Sequence, residues 1–203
     1  MIRNRRGSRI LAGLGAAALV VSLVATLVPL ALAATPSFPD VPETHPYYEA
    51  VTDLASRGVI SGFGSGLFGP ADEVTRQQFA KMIVLAGGYP VSEDDVCTFA
   101  DVPQGGPATF FPDNYIAVCA ANNITTGKTS TTFDPYSEIT RYQVITMVVR
   151  AADSLHPGLL AAPPENWSAT GIWARNATHG ANAARAEFNG LLAGFDLVAL
   201  DPN

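Results

Sequence analysis

The sequence predicts a mainly helical chain assembled from helix–loop–helix repeats. A 25-residue stretch recurs 65 residues downstream. Both copies contain Thr-x-x-Gln, a helix-capping pattern, and apolar residues ahead of each copy recur at helical spacing. Residues 62–86 aligned with 127–151 agree at 11 of 25 positions, including Glu73/Glu138, Thr75/Thr140, Arg76/Arg141 and Gln78/Gln143. Self-similarity of this length marks a repeat architecture.

The N-terminus belongs to export rather than to the fold. "MIRNRRGSR" carries four arginines and no acid, and an apolar run from Ile10 to about Val28 follows it. That run approaches the length of a membrane span. Ala31 and Ala33, small residues after Pro29, select cleavage instead, so 1–33 is expected to be a signal peptide removed before Ala34. The full chain has 12 basic and 18 acidic residues. Without the signal, eight basic residues face 18 acidic ones, a net charge of about −10 (8 minus 18). Such a chain offers no basic field to a nucleic acid, and no membrane contact is expected after cleavage.

The first repeat is expected over 34–90. It opens on "FPDVP", and Tyr48, Val51, Leu54 and Ala55 then share one helix face up to Gly58, a C-terminal cap. The loop "SGFGSGLFGP" leads to a second helix starting at Thr75. The second repeat, 91–155, opens on "FADVP" and places Tyr115, Val118 and Cys119 on a helix face. It closes with a loop to Pro135 and a helix from Thr140. Residues 156–166, "HPGLLAAPPEN", read as a linker. A partial third repeat is expected over 167–203, where "NGLLAGFDLVALDP" echoes "NNITTGKTSTTFDP" at an offset of 67. Its Thr-Arg pair would fall near position 207. Either the chain is a fragment of a longer protein or the third repeat lacks its second helix.

Helix formation alone accounts for most of each Thr-Arg segment. Thr75 and Thr140 are N-caps, Gln78 and Gln143 complete capping boxes, and Val74/Phe79 and Ile139/Val144 form hydrophobic staples. Capping does not account for Arg76 and Arg141 at the first helical position, where the helix dipole disfavours a cation. Two explanations stand side by side. The guanidinium fork and free helix amides hold an anionic partner, or the arginine pairs internally with Asp40 or Asp101 of the opening segments.

Enzymatic signals are missing from the sequence. His45, His156 and His179 lack metal-ligand spacing, and no Gly-x-Ser-x-Gly, His-Glu-x-x-His or phosphate loop occurs. No catalytic residue, metal or cofactor is expected. Cys97 and Cys119 are the only cysteines. In an oxidising compartment they are expected to form one structural disulfide, burial as two small apolar residues being the alternative.

Taken together, "FPDVP…GVISGFGSGLFGPADEVTRQQFAKMI" and "FADVP…NITTGKTSTTFDPYSEITRYQVITMV" resemble the S-layer homology domain family. The likeness extends over about 38–203. It implies three repeats in a pseudo-threefold helical bundle, the third incomplete here, with grooves that bind secondary cell-wall polysaccharide. The implied function is non-covalent anchoring of a secreted protein at the cell wall, through an anionic group such as a pyruvate ketal. By position, Arg76 and Arg141 would hold that group and Thr75 and Thr140 would support the helix ends. The Ser61-Gly62 and Thr126-Gly127 turns would line the grooves. Gln78 and Gln143 stand where the family usually has Glu, and "NATHG" at 176–180 lacks the opening Asp. Two alternatives are lattice assembly through contacts with other surface-layer subunits, and an anchor fragment of a larger exported hydrolase.

Overall fold

The computed structural model describes residues 36–106 and 109–203. Its α-helices are α1 (Tyr48–Ser56), α2 (Arg76–Gly87), α3 (Asp113–Ala121), α4 (Arg141–Leu155) and α5 (Gly180–Phe188). A 3-10 turn, Trp173–Arg175, precedes α5. Among the described residues the only extended pairings are the isolated bridges Phe38–Val41 and Thr75–Glu138. The protein is mainly helical, as the periodicity predicts. The expected signal peptide lies outside the described residues.

Both long helices begin as their sequence dictates. Thr75 Oγ1 accepts from the Gln78 amide, and Gln78 Oε1 accepts from the Thr75 amide at 2.7 Å. Thr140 and Gln143 repeat this reciprocal cap on α4. The short helices also end alike. Gly58, Asn123 and Gly190 all take a positive φ just beyond α1, α3 and α5. In each case the next amide reaches back to the helix: Val59 to the Leu54 carbonyl, Ile124 to Cys119 and Leu191 to Ala186. These are Schellman ends, which satisfy carbonyls that the helix leaves unpaired.

The helices interlock rather than pairing within each repeat: α2 packs against α3 and α4, and α4 against α5. The main core joins Ala80 and Val84 of α2, Ile116, Val118 and Cys119 of α3, and Met147 and Ala151 of α4. Burying each large aliphatic side chain stabilises by about 1.5–3 kcal/mol. A second cluster sets Tyr142 of α4 against Trp173, Ala183 and Leu197. Helix α1 instead builds a small satellite core from Phe38, Val41 and Val51.

Opening segments and glycine loops lock to one another. Asp40 accepts from the Phe68 and Gly69 amides at 2.9 and 2.7 Å. Asp101 accepts from the Phe133 and Asp134 amides at 2.8 and 2.7 Å. The amides of Phe68 and Gly69 hold Asp40 below the usual carboxylate range. Asp101 is also lowered: some desolvation opposes this, and the bonds from Phe133 and Asp134 outweigh it. The opening phenylalanine of both complete repeats packs with a tilted ring against its loop partner, Phe38 against Phe68 at 5.5 Å and Phe99 against Phe133 at 5.7 Å. Only glycine fits beneath them. At Gly127 (φ +74) a Cβ would lie 2.5 Å from the Phe99 ring and 2.6 Å from the Thr129 carbonyl.

The cysteines differ from expectation. Cys97 and Cys119 share the main core but are free thiols, and the expected disulfide is not formed here. Cys119 is fully buried and donates to the Ala80 carbonyl at 3.6 Å. Burial pushes its thiol up to about 12. It behaves as a small apolar residue.

Candidate functional site

Arg76 makes no internal salt bridge with Asp40 or Asp101 and packs instead against the second loop. It is 4% exposed, and its guanidinium carbon stands 4.6 Å above the centroid of the Phe133 ring. Its Nε donates to the Phe133 carbonyl at 2.9 Å. The start of α2 is tied to the same loop, because the Arg76 and Gln77 amides donate to the Ser137 and Pro135 carbonyls at 2.9 and 3.0 Å. The arginine at the first helical position is therefore a staple between one repeat's helix and the next repeat's loop. Carbonyls and a π face offset its unfavourable place on the helix dipole. Among the described residues the ion pairs are Arg57–Asp53, Lys128–Asp134 and Arg185–Asp153. Neither Asp40 nor Asp101 pairs with an arginine, and the internal salt bridge is set aside.

The rest of the Arg76 side chain borders a groove of about 240 Å³. Thr126, Gly127 and Lys128 line it from the second loop, Gln143, Thr146 and Arg150 from α4, and Thr178 and His179 from the segment before α5. No carboxylate lines it, although the chain as a whole is acidic. Lys128 Nζ is occupied by Asp134 at 2.7 Å. Arg76 and Arg150 keep no carboxylate partner among the described residues. Burial lowers the Arg76 pKa, and the charges of Asp134 and Asp101 oppose that shift. The groove thus presents two guanidinium groups without a direct ion-pair partner, hydroxyls and a glycine turn, a set suited to an anion on a hydroxyl-rich ligand.

The remaining expected residues separate. Arg76, Thr126 and Gly127 share this groove. Arg141 does not reach it. Its Nη1 donates to the Asp201 carbonyl at 2.8 Å, and the Tyr142 amide donates to that of Pro202. It borders an apolar cleft of about 440 Å³ lined by Val144, Ile145, Leu192, Phe195 and Leu197. Thr75 and Thr140 are occupied as caps. Gly62 serves the satellite core, where a Cβ would lie 2.6 Å from both Phe38 and the Leu67 carbonyl, and Ser61 precedes it in that loop.

Arg150, Lys128 and His179 are groove residues that motif reasoning missed. Arg150 replaces Leu85 of the first copy, so a search for where the copies disagree would have found it. His179 sits in "NATHG", the stretch that departs most from the opening pattern. Among the described residues no metal-binding group of His, Cys, Asp and Glu occurs. No helix there is long and apolar enough to cross a membrane.

Comparison with known proteins accords with this architecture. The family profile of the S-layer homology domain matches residues 37–80. An S-layer protein of Bacillus thuringiensis subsp. finitimus is 32% identical over 151 residues, 74% of this chain and 17% of that protein. The S-layer protein sap of Bacillus anthracis is 31% identical over 151 residues, with the same shares of 74% and 17%. An endoglucanase of Bacillus sp. strain KSM-635 is 33% identical over 145 residues, 68% of this chain and 15% of that enzyme. The chain spans about a sixth of the length of these curated relatives. It belongs to the S-layer homology domain family.

Proposed function

We propose that this chain is a secreted, non-catalytic anchor that holds a protein at the bacterial cell wall. It does so by binding an anionic wall polysaccharide in the groove between α2, the second loop and α4. The carrying observation is the pair Arg76 and Arg150, two arginines without a carboxylate partner facing one groove in an otherwise acidic chain. A carboxylate such as a pyruvate ketal would take both guanidinium groups. Thr126, Thr178 and Gln143 would meet sugar hydroxyls. Thr75 supports the helix end that positions Arg76.

The relatives favour an anchor over a lattice subunit. The shared region accompanies S-layer proteins in some and an endoglucanase in another. A segment joined to unlike partners fits a module that attaches cargo. The endoglucanase also keeps open the reading of this chain as the anchor portion of an exported hydrolase.

The test is co-sedimentation with purified sacculi, with and without their covalently attached glycopolymer. Binding should require the glycopolymer and weaken as salt rises. Equal pelleting with stripped sacculi would sink the proposal. Self-assembly without wall would favour a surface lattice.

A further inference from the structure

The groove contains a titratable group that simple charge pairing does not use. His179 precedes α5 and faces back onto α4. Its ring stacks on Tyr142 with centroids 5.8 Å apart and an interplanar angle of 18°. Its Nδ1 lies 2.9 Å from Thr146 Oγ1. Among the described residues no protein group bonds Nε2, although the residue lines the groove beside Arg76 and Arg150. Tyr142 is itself fixed in the core against Trp173, and its hydroxyl donates to the Ile172 carbonyl at 3.2 Å. The imidazole is therefore held in place on two sides and open on the third.

We propose that His179 is a further ligand-contacting residue of this groove. Its Nε2 donates to the carboxylate held by Arg76 and Arg150, and the ring takes up a proton as the ligand binds. This rests on the anion-binding reading above.

The charged and titratable groups facing His179 are Arg76 from α2, Tyr142 and Arg150 from α4, and Lys128 from the loop, the last neutralised by Asp134. In the unliganded groove burial holds His179 below its ordinary value, and the charges of Arg150 and Arg76 act in the same direction. The ring is then neutral near pH 7. An anion seated between the arginines cancels their field and adds an opposite charge, so the pKa rises on binding. Thr146 can follow the change, because a rotating hydroxyl donates to neutral Nδ1 and accepts from protonated Nδ1–H.

The sign follows from linkage. A ligand that raises the pKa binds most tightly below the pKa of the free groove. That advantage is lost as pH rises through the pKa of the complex. His179 would thus make the groove tighter in mildly acidic surroundings and tune it toward carboxylates over neutral sugars.

The experiment is titration calorimetry with a methyl glycoside of an N-acetylhexosamine carrying a pyruvate ketal. The same glycoside without the ketal serves as control. At about pH 6, buffers of different ionisation enthalpy should report uptake of a fraction of a proton, and affinity should fall roughly three- to tenfold between about pH 5.5 and about pH 7.5. His179→Gln keeps a neutral donor. It should lose both proton uptake and the acid enhancement, leaving an affinity that no longer changes between the two pH values. Should the variant misfold, NMR titration of the wild-type His179 imidazole gives the same answer. The His179 pKa must rise with ligand. Binding without proton uptake, or a His179 pKa unmoved by ligand, overturns the inference and leaves the anion-binding groove standing. No binding of the ketal overturns the inference as well, and sedimentation with sacculi then decides the anchoring role separately.

Discussion

Replacing arginines 76, 141 and 150 one at a time by alanine should give three different outcomes, because the structure assigns them different work. Arg76→Ala removes a charged donor from the Phe133 carbonyl and a cation from above the Phe133 ring. The hydrogen bond is worth about 1.5–3 kcal/mol and the cation–π contact about 0.5–2 kcal/mol. Water entering the space recovers part of this, so a net loss of about 2–4 kcal/mol is expected. In a domain of this size that lowers Tm by about 4–16 °C. Glycan binding should fall in the same variant. Arg150→Ala should cost under about 0.5 kcal/mol of stability yet weaken binding by about 1.5–3 kcal/mol. Arg141→Ala should cost about 1 kcal/mol for its bond to Asp201 and leave binding unchanged. Melting curves measured beside sedimentation or calorimetry with the same preparations separate the cases. A stable Arg76→Ala protein would refute the staple. An Arg150→Ala protein that binds as wild type would refute the groove.

Three other outcomes are expected. The exported protein should begin at Ala34, and a mass spectrum showing a retained Met1 would mean an uncleaved anchor instead. Denatured, non-reduced protein should titrate two thiols, with Cys119 alkylated only after unfolding because burial pushes it up to about 12; a count of zero would restore the disulfide. Asp40, Asp101 and Asp134 all have folded-state values below the usual carboxylate range, so their stabilisation is complete above that range and lost as pH falls through the lowered values. Glu73, raised by its hydrogen bond with Glu138, works in the opposite direction. Asp101→Asn should therefore flatten the acid limb of the melting curve, and an unchanged limb would count against the carboxylate–loop clasp.

Much of the fold was legible because its signals are local. Thr75 with Gln78 and Thr140 with Gln143 announce two helix starts, and both are built as the capping box requires. Gly58 announces the end of α1 for the same reason. Asn123 was harder to read, because only its alignment with Gly58 reveals a left-handed cap at a non-glycine position. What stayed hidden is non-local. Nothing in a single repeat shows that α2 packs on α3 rather than on α1, since each apolar stripe fits either partner. The role of Asp40 and Asp101 was hidden likewise. An acid in an opening motif invites pairing with an arginine, and the amides that it binds lie about 30 residues away.

The duplicated Thr-Arg signature shows that one motif can stand in two different surroundings. Arg76 and Arg141 occupy equivalent helix starts, and both bond to carbonyls of the following loop. Their surroundings depend on what that loop and the neighbouring turns supply. Opposite Arg76 stands Phe133, whose ring supports the guanidinium face; the position that aligns with Phe133 in the third repeat is Leu200, which lines the cleft that Arg141 borders and has no π face. Arg150 on α4 adds a second cation to the first groove, while apolar side chains line the cleft beside Arg141. The same residue at the same helical position thus borders a polar, cation-rich groove in one place and an apolar cleft in the other. On the proposed reading, anion recognition would belong to the junction between repeats, which the repeated motif alone does not specify.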